Sequence, residues 1–306
     1  MSEAATLDPT RLVIAAIIGL ALLLVLIIKF KVHAMISILL GAITIGVVAG
    51  MPLTEIVTAV NDGISNTLKG IALLVGLGSM FGAILEASGG AQTLAVTMVK
   101  KFGDAKAEWA LGVNGLIIAM PVFFDAGLII LIPLAFSLAK RTKRSTLFYA
   151  IPLLAGLAVG HAFIPPTPGP VLVATMLNVD LGWVILVGIA CGTVAMIIAG
   201  PVWGSICGKK YMVPVPEHVA SQEDIDESKL PKFSTIVLII AIPLVLIIFK
   251  SLAGVIPAMA PVAPVFTFLG EPFVALLIAT IVAMLVLGKR HGYSMDCLLY
   301  TSPSPR

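Results

Sequence analysis

Two short segments rich in proline and polar residues interrupt otherwise apolar sequence, and they constrain the fold more than any other feature. The first runs from Pro121 to Gly127 and carries Asp125, and the second runs from His161 to Pro170 and carries four prolines. Hydrocarbon offers no water for a broken backbone or an ionised side chain. In a membrane, such breaks therefore persist only where they pack inside protein or line a polar cavity. The two breaks are the first candidates for a functional site.

The composition places the apolar runs in a membrane. Hydrophobic residues make up 59% of the 306 residues and charged residues only 11%, whereas a soluble domain carries about 25% charged residues. We predict an all-α, polytopic helical membrane protein whose first apolar run, Leu12 to Ile28, is a retained span and not a cleaved signal peptide. The net charge of +3 comes without a basic face interleaved with aromatic residues, so no nucleic-acid partner is expected. The cysteines have no metal-binding spacing, and no metal site is expected.

Lys and Arg clusters indicate the topology around the first break. One cluster lies between Lys100 and Lys106, and another follows Ala139 directly, from Lys140 to Arg144. If both are cytoplasmic, the sequence between them enters and leaves on one side. This favours a hairpin of two short helices folded back at Asp125, and one long, tilted helix is the alternative.

Asp125 is the strongest candidate for chemistry, and Phe124 and Gly127 beside it are included in the candidate substrate and proton site. A carboxylate at membrane depth costs about 2.5 to 3.5 kcal/mol on insertion scales, and desolvation favours its protonated form. A proton-coupled carrier needs a group of this kind. The alternative role is a cap for a helix that begins near Leu128.

The second break offers His161, Thr167 and Gly169 as candidates. Imidazole titrates near neutral pH, although a structural histidine bonded to a backbone carbonyl is the competing interpretation. The prolines exclude a regular helix up to Pro170, so free N–H groups of residues 171–173 would form a helix N-terminus suited to an anion, with the Thr167 hydroxyl nearby. A plain external loop is the alternative.

Gly78 and Ser79 form a third candidate, in a glycine-rich stretch of the third apolar run. An unwound turn there would present backbone groups to a ligand. The competing interpretation is that these small residues let helices approach closely.

Several motifs in register resemble the gluconate permease (GntP) family of bacterial inner-membrane symporters. They are Phe123–Gly127, His161–Pro170, Asn178–Gly182, Ala199–Val202, Pro214–Glu217 and Phe268–Pro272. Relatives often have Glu at the position of Asp125 and His at that of Thr167. The first change keeps the carboxylate, and the second removes a titratable group.

The resemblance implies an ion-transporter-like fold with inverted repeats and broken or re-entrant helices, in a multi-pass protein of the cell inner membrane. It implies uptake of a gluconate-like carboxylate coupled to protons, with no cofactor besides the proton. Carriers of this kind often associate, so a homo-oligomer is an open alternative to a monomer.

The resemblance also suggests how the chain divides. Residues 1–208 are expected to form the first transmembrane repeat, residues 209–232 a hydrophilic cytoplasmic linker, and residues 233–296 the truncated start of the second repeat. Residues 297–306 differ from the family in character and are expected to be a non-native tail, because relatives continue into further spans.

Other functions are weighed against this one. No phosphate loop, dinucleotide fingerprint or nucleophile motif occurs in the sequence, so an enzyme is not expected. Within transport, the alternative is a carrier for another small organic acid or D-serine. From a different class, the alternative is a channel or structural membrane protein without coupled transport.

Overall fold

The computed structural model describes residues 8–216 and 230–288, and within these ranges the regular structure is entirely helical. The all-α prediction is therefore confirmed. The α-helices are α1 Pro9–Ile28, α2 Ala34–Ala49, α3 Leu53–Ala87, α4 Gly90–Phe102, α5 Ala107–Ile118, α6 Phe124–Thr142, α7 Leu147–Phe163, α8 Pro168–Met176, α9 Leu181–Ile197, α10 Trp203–Lys210, α11 Phe233–Val255, α12 Ala263–Leu269 and α13 Pro272–Ala283. A π-helical turn, Ile198–Val202, joins α9 to α10.

Four helical stretches of the described chain are long and apolar enough to cross a membrane. They are Pro9–Ile28, Leu147–Met176, Leu181–Lys210 and Phe233–Val255. Two further helix pairs, residues 53–69 with 71–87 and residues 257–269 with 272–288, raise the number to six if each pair is one span. Most exposed side chains of α1 are large and apolar, which suits contact with lipid.

The internal contacts divide the chain into two units, with the boundary at Gly70 inside α3. In the first unit, α1 and α2 are antiparallel. Gly19 and Gly41 face each other, and a Cβ on Gly41 would stand 3.2 Å from the Gly19 carbonyl oxygen. The Arg11 guanidinium donates to the Val48 carbonyl at 2.8 Å. Small residues at such a crossing let two helix backbones approach closely in the bilayer.

In the second unit, α7 is surrounded by other helices. Tyr149, Leu153 and Leu157 of α7 are completely buried and belong to a core that also contains residues of α3 to α6, α11 and α13. The α9–α10 segment runs antiparallel to α7, because Gly188 lies against Phe163 and Gly208 lies against Phe148. Buried packing around α7 thus holds the elements that flank both breaks.

The predicted domain limits stay a prediction. Of the predicted linker, residues 217–229 lie outside the described part of the chain, as does the expected tail, residues 297–306.

Candidate functional site

Glycine-mediated packing fixes the direction of α5 against α7. The backbone at Gly156 lies against the Gly112 carbonyl, and the backbone at Gly160 lies against the Leu116 carbonyl. Residue numbers therefore increase together along the two helices. α5 is parallel to α7, and the end of α5 lies beside the end of α7.

The contacts of α6 with α7 run the other way. Gly127, at the start of α6, lies against Leu157, and the buried Tyr149 hydroxyl donates to Thr142, at the end of α6, at 2.9 Å. α6 is therefore antiparallel to α7 and to α5, and the chain reverses within residues 119–123. The predicted hairpin is confirmed, but its turn lies at residues 119–123 and not at Asp125, which is inside α6; the single long helix is wrong.

The helix at the first break begins earlier than predicted. α6 starts at Phe124, with Phe123 in the N-cap position and no side-chain cap. Asp125 lies in the first turn, where the helix dipole favours a negative charge. The predicted cap for a helix that begins near Leu128 is therefore wrong, because the backbone is already helical at residue 124.

The second break is shorter than predicted. α7 ends at Phe163, and α8 begins at Pro168, with Thr167 in the N-cap position. The predicted free N–H groups of residues 171–173 are wrong, because the Val171 N–H donates to the Thr167 carbonyl at 3.3 Å and the next residues lie inside the helix. Proline is tolerated in a first helical turn, where backbone N–H groups have no partner within the helix.

Both breaks line one small, partly open cavity. Its lining comes from the hairpin tip, the end of α7, the second break, α3 and α13. The lining residues are Met120, Pro121, Val122, Phe123, His161, Pro166, Thr167, Pro168, Leu74, Gly78 and Leu276. Of the predicted site residues, the structure brings His161, Thr167 and Gly78 to this cavity.

His161 is the titratable side chain of this lining. Its ring lies against the Phe123 ring, with centroids 5.6 Å apart. Its Nδ1 is buried and has no hydrogen-bond partner among the described residues, so the predicted bond to a backbone carbonyl is absent from that nitrogen. A buried nitrogen without a partner is free to bind a ligand group in the cavity.

Thr167 is the other polar side chain of the lining, and it is buried. Its hydroxyl donates to the Ile164 carbonyl at 2.7 Å. The oxygen lone pairs can still accept a hydrogen bond, so a ligand hydroxyl suits this position.

The remaining predicted residues lie around the cavity and not in its lining. Asp125 is exposed, and it is close enough to His161 for an electrostatic interaction. Phe124 is half-buried, and Gly127 is buried against Leu157. Gly169 is exposed in the first turn of α8.

The predicted unwound turn at Gly78 and Ser79 is wrong. Both residues lie within α3, and the Ser79 hydroxyl donates to the Val75 carbonyl one turn earlier, at 2.6 Å. The competing packing interpretation fails at Gly78, where no atom lies within 4 Å of an added Cβ. It holds at Gly82, where an added Cβ would stand 3.4 Å from the Val122 Cα. Gly78 leaves open space in the lining of the cavity.

Sequence reasoning missed the apolar walls. Leu74, Met120 and Leu276 line the cavity, and nothing distinguishes them in sequence from other apolar residues of their helices. No group of three metal-ligating side chains occurs among the described residues.

Comparisons with known proteins decide the family. The model of the GntP family permeases matches residues 11–303. The chain belongs to the GntP permease family. This is a family of permeases and not of enzymes, and with the apolar helices it makes the chain part of a multi-pass membrane protein.

Curated relatives in Escherichia coli strain K12 carry different names. The chain is 37% identical to the low-affinity gluconate transporter over 286 residues, which is 93% of this chain and 64% of the relative. It is 33% identical to the Gnt-II system L-idonate transporter over 289 residues, 94% of this chain and 65% of the relative. It is 34% identical to the D-serine transporter DsdX over 285 residues, 92% of this chain and 64% of the relative. The chain thus spans less than two thirds of these relatives' length, and no solved structure matches it.

Proposed function

We propose that this chain is part of a permease that imports gluconate or a related sugar acid with protons across the bacterial inner membrane. The observation that carries the proposal is the cavity where the two breaks meet, with His161 and Thr167 in its lining. The relatives named as gluconate and L-idonate transporters support a sugar acid as the substrate.

The helix ends at the cavity favour an anionic substrate. α6 and α8 both begin at the breaks that line it, and a helix N-terminus carries partial positive charge that favours an anion. The Thr167 oxygen suits a substrate hydroxyl, and the apolar walls suit the carbon chain.

The same lining supports coupling to protons. The described lining contains no Lys or Arg, and an anion that leaves water without a countercharge pays a large desolvation cost. A protonated His161 would supply that charge, so the carboxylate and a proton would enter together. Asp125, beside His161 but outside the lining, is proposed as the group that delivers the proton.

The test uses vesicles that contain the complete protein, with labelled gluconate outside and an inward proton gradient. We expect His161→Gln and Asp125→Asn to abolish accumulation, while His161→Gln also weakens binding. His33→Gln is the matched control, because His33 is exposed at the start of α2 in the first unit. If Asp125→Asn still accumulated gluconate with an unchanged pH dependence, its proton role would be wrong.

A second substrate class is supported by the D-serine transporter among the relatives. Unlabelled gluconate, L-idonate and D-serine, each in excess over labelled gluconate, would separate these substrates. A channel would show uptake that does not saturate, and uptake that persists when a protonophore is added would count against a symporter.

A further inference from the structure

Basic side chains cluster on the second unit at the ends of several helices. Six of them, which we call the basic surface, are exposed: Lys101, Lys106, Lys143, Arg144, Lys209 and Lys210. They come from the end of α4, the turn before α5, the α6–α7 loop and the end of α10. In sequence they are up to about a hundred positions apart, so their proximity depends on the fold.

An ion pair joins the turn before α5 to the end of α6. Arg141, in the last turn of α6, bonds the carboxylate of Asp104, which lies between Lys101 and Lys106. The pairing holds the turn before α5 against the end of α6. Among the described residues of this region, the exposed carboxylate of Asp104 is thereby paired, and the six lysines and arginines dominate the charge.

Hydrogen bonds join the chain that follows α10 to the α6–α7 loop. The Ser145 hydroxyl donates to the Tyr211 carbonyl at 2.7 Å and accepts from the Val213 N–H at 3.1 Å. The Thr146 N–H donates to the Val213 carbonyl at 2.9 Å. These bonds hold the chain that follows α10 against the α6–α7 loop, so Lys209 and Lys210 lie close to Lys143 and Arg144.

The basic surface lies where apolar helices end. α10 ends beside the start of α7, because Gly208 lies against Phe148. α6 ends at the same place, because the Tyr149 hydroxyl of α7 donates a hydrogen bond to the Thr142 hydroxyl of α6. Large exposed side chains accompany the charges: Tyr211 is 53% exposed and Met212 is 72% exposed. Aromatic and apolar groups beside Lys and Arg at a span end are typical of the membrane–water interface.

We propose that the basic surface binds the headgroup of an anionic phospholipid. Cytoplasmic leaflets contain such lipids, and basic residues beside a span attract their phosphates. Tyr211 and Met212 would contact the glycerol and upper acyl region, which a soluble phosphate lacks. The hydrogen-bonded loop fixes the spacing of the charges before a lipid arrives, which lowers the entropy cost of binding.

Native mass spectrometry of the full chain in detergent tests this, with phosphatidylglycerol and phosphatidylcholine added in equal amounts. We expect more bound phosphatidylglycerol. Each basic residue near the membrane contributes about fivefold, so Arg144→Gln with Lys210→Gln should lower the ratio of the two bound lipids roughly 10- to 25-fold. Arg144→Lys with Lys210→Arg keeps the charges and should keep the ratio. Lys29→Gln with Lys31→Gln removes two charges from the α1–α2 turn, outside the basic surface, and its ratio should fall much less.

Three results would overturn the proposal. One is an equal loss in the Lys29 and Lys31 variant, which would indicate attraction by net charge alone. Another is displacement of the lipid by an equal concentration of glycerol 3-phosphate, which would assign the surface to soluble anions. The third is a preference for phosphatidylglycerol that emerges only after the acidic residues of 217–229 are replaced by amides. That result would mean that this segment, and not a lipid, occupies the basic surface.

Discussion

Adding one methyl group at Gly156 should disrupt the packing that brings the two breaks together. In the structure, a Cβ on Gly156 would stand 2.1 Å from the Gly112 carbonyl oxygen and 2.9 Å from the Leu116 nitrogen. Both obstacles are backbone atoms of α5, so no side-chain rotation relieves the clash. Since unbonded carbon and oxygen atoms need about 3.2 Å or more, the two helices must separate by about 1 Å.

The cost follows from that separation. A gap of about 0.5 to 1 Å loses a quarter to a half of the dispersion energy of the atoms across it, and overpacking typically costs about 1 to 3 kcal/mol. We expect Gly156→Ala to lose about 3 kcal/mol, because the clash is with rigid backbone. Unfolding of the chain in mixed micelles by increasing mole fractions of dodecyl sulfate, followed by tryptophan fluorescence, measures this loss.

Gly76→Ala is the matched control. Gly76 lies inside α3, and no atom lies within 4 Å of its added Cβ. An alanine there should stabilise the helix by about 0.5 to 1 kcal/mol. If Gly156→Ala unfolded at the same dodecyl sulfate fraction as Gly76→Ala, the close contact between α5 and α7 would be refuted.

Three further substitutions probe single contacts with the same unfolding assay. Asp180→Ala removes the cap of α9, whose carboxylate accepts from Gly182 at 3.0 Å and Trp183 at 3.3 Å; it should cost about 1 kcal/mol, and Asp180→Asn should cost less. A larger loss for the asparagine would refute the cap. Tyr149→Phe removes the partly buried bond to Thr142 and should cost about 1 kcal/mol, and an unchanged midpoint would contradict this bond. Lys250→Met breaks the 2.7 Å pair with Glu271, but both side chains are partly exposed, so less than about 1 kcal/mol is expected and a larger loss would contradict this estimate.

The sequence predicts the hairpin because two physical signals coincide there. Basic residues flank the segment at both ends, and Asp125 with Gly127 interrupts the apolar run between them. The positive-inside rule then requires an even number of crossings. The structure agrees, and Arg141 joins Asp104 at the base of the hairpin.

The helix starts at the breaks are less predictable, because proline has opposite effects in different positions. Inside a helix it removes a needed N–H, whereas in the first turn that N–H has no partner. Counting all four prolines as helix breakers places the start of α8 near Val171 instead of Pro168. Gly78 shows the same limit, because a glycine weakens a helix without ending it.

The lining of the cavity depends on helix register, which periodicity alone does not supply. The backbone at Gly160 lies against Ala119 as well as the Leu116 carbonyl, so α5 and α7 end at the same depth. The residues that follow each helix, Pro121 to Phe123 on one side and Ile164 to Thr167 on the other, then necessarily meet. A larger residue at Gly160 would displace α7 from α5 and move the Phe123 ring away from the His161 ring. The two ring centroids are 5.6 Å apart in the structure. The glycines in α5 and α7 therefore act on the proposed substrate site without touching it, by setting the depth at which the two breaks face each other.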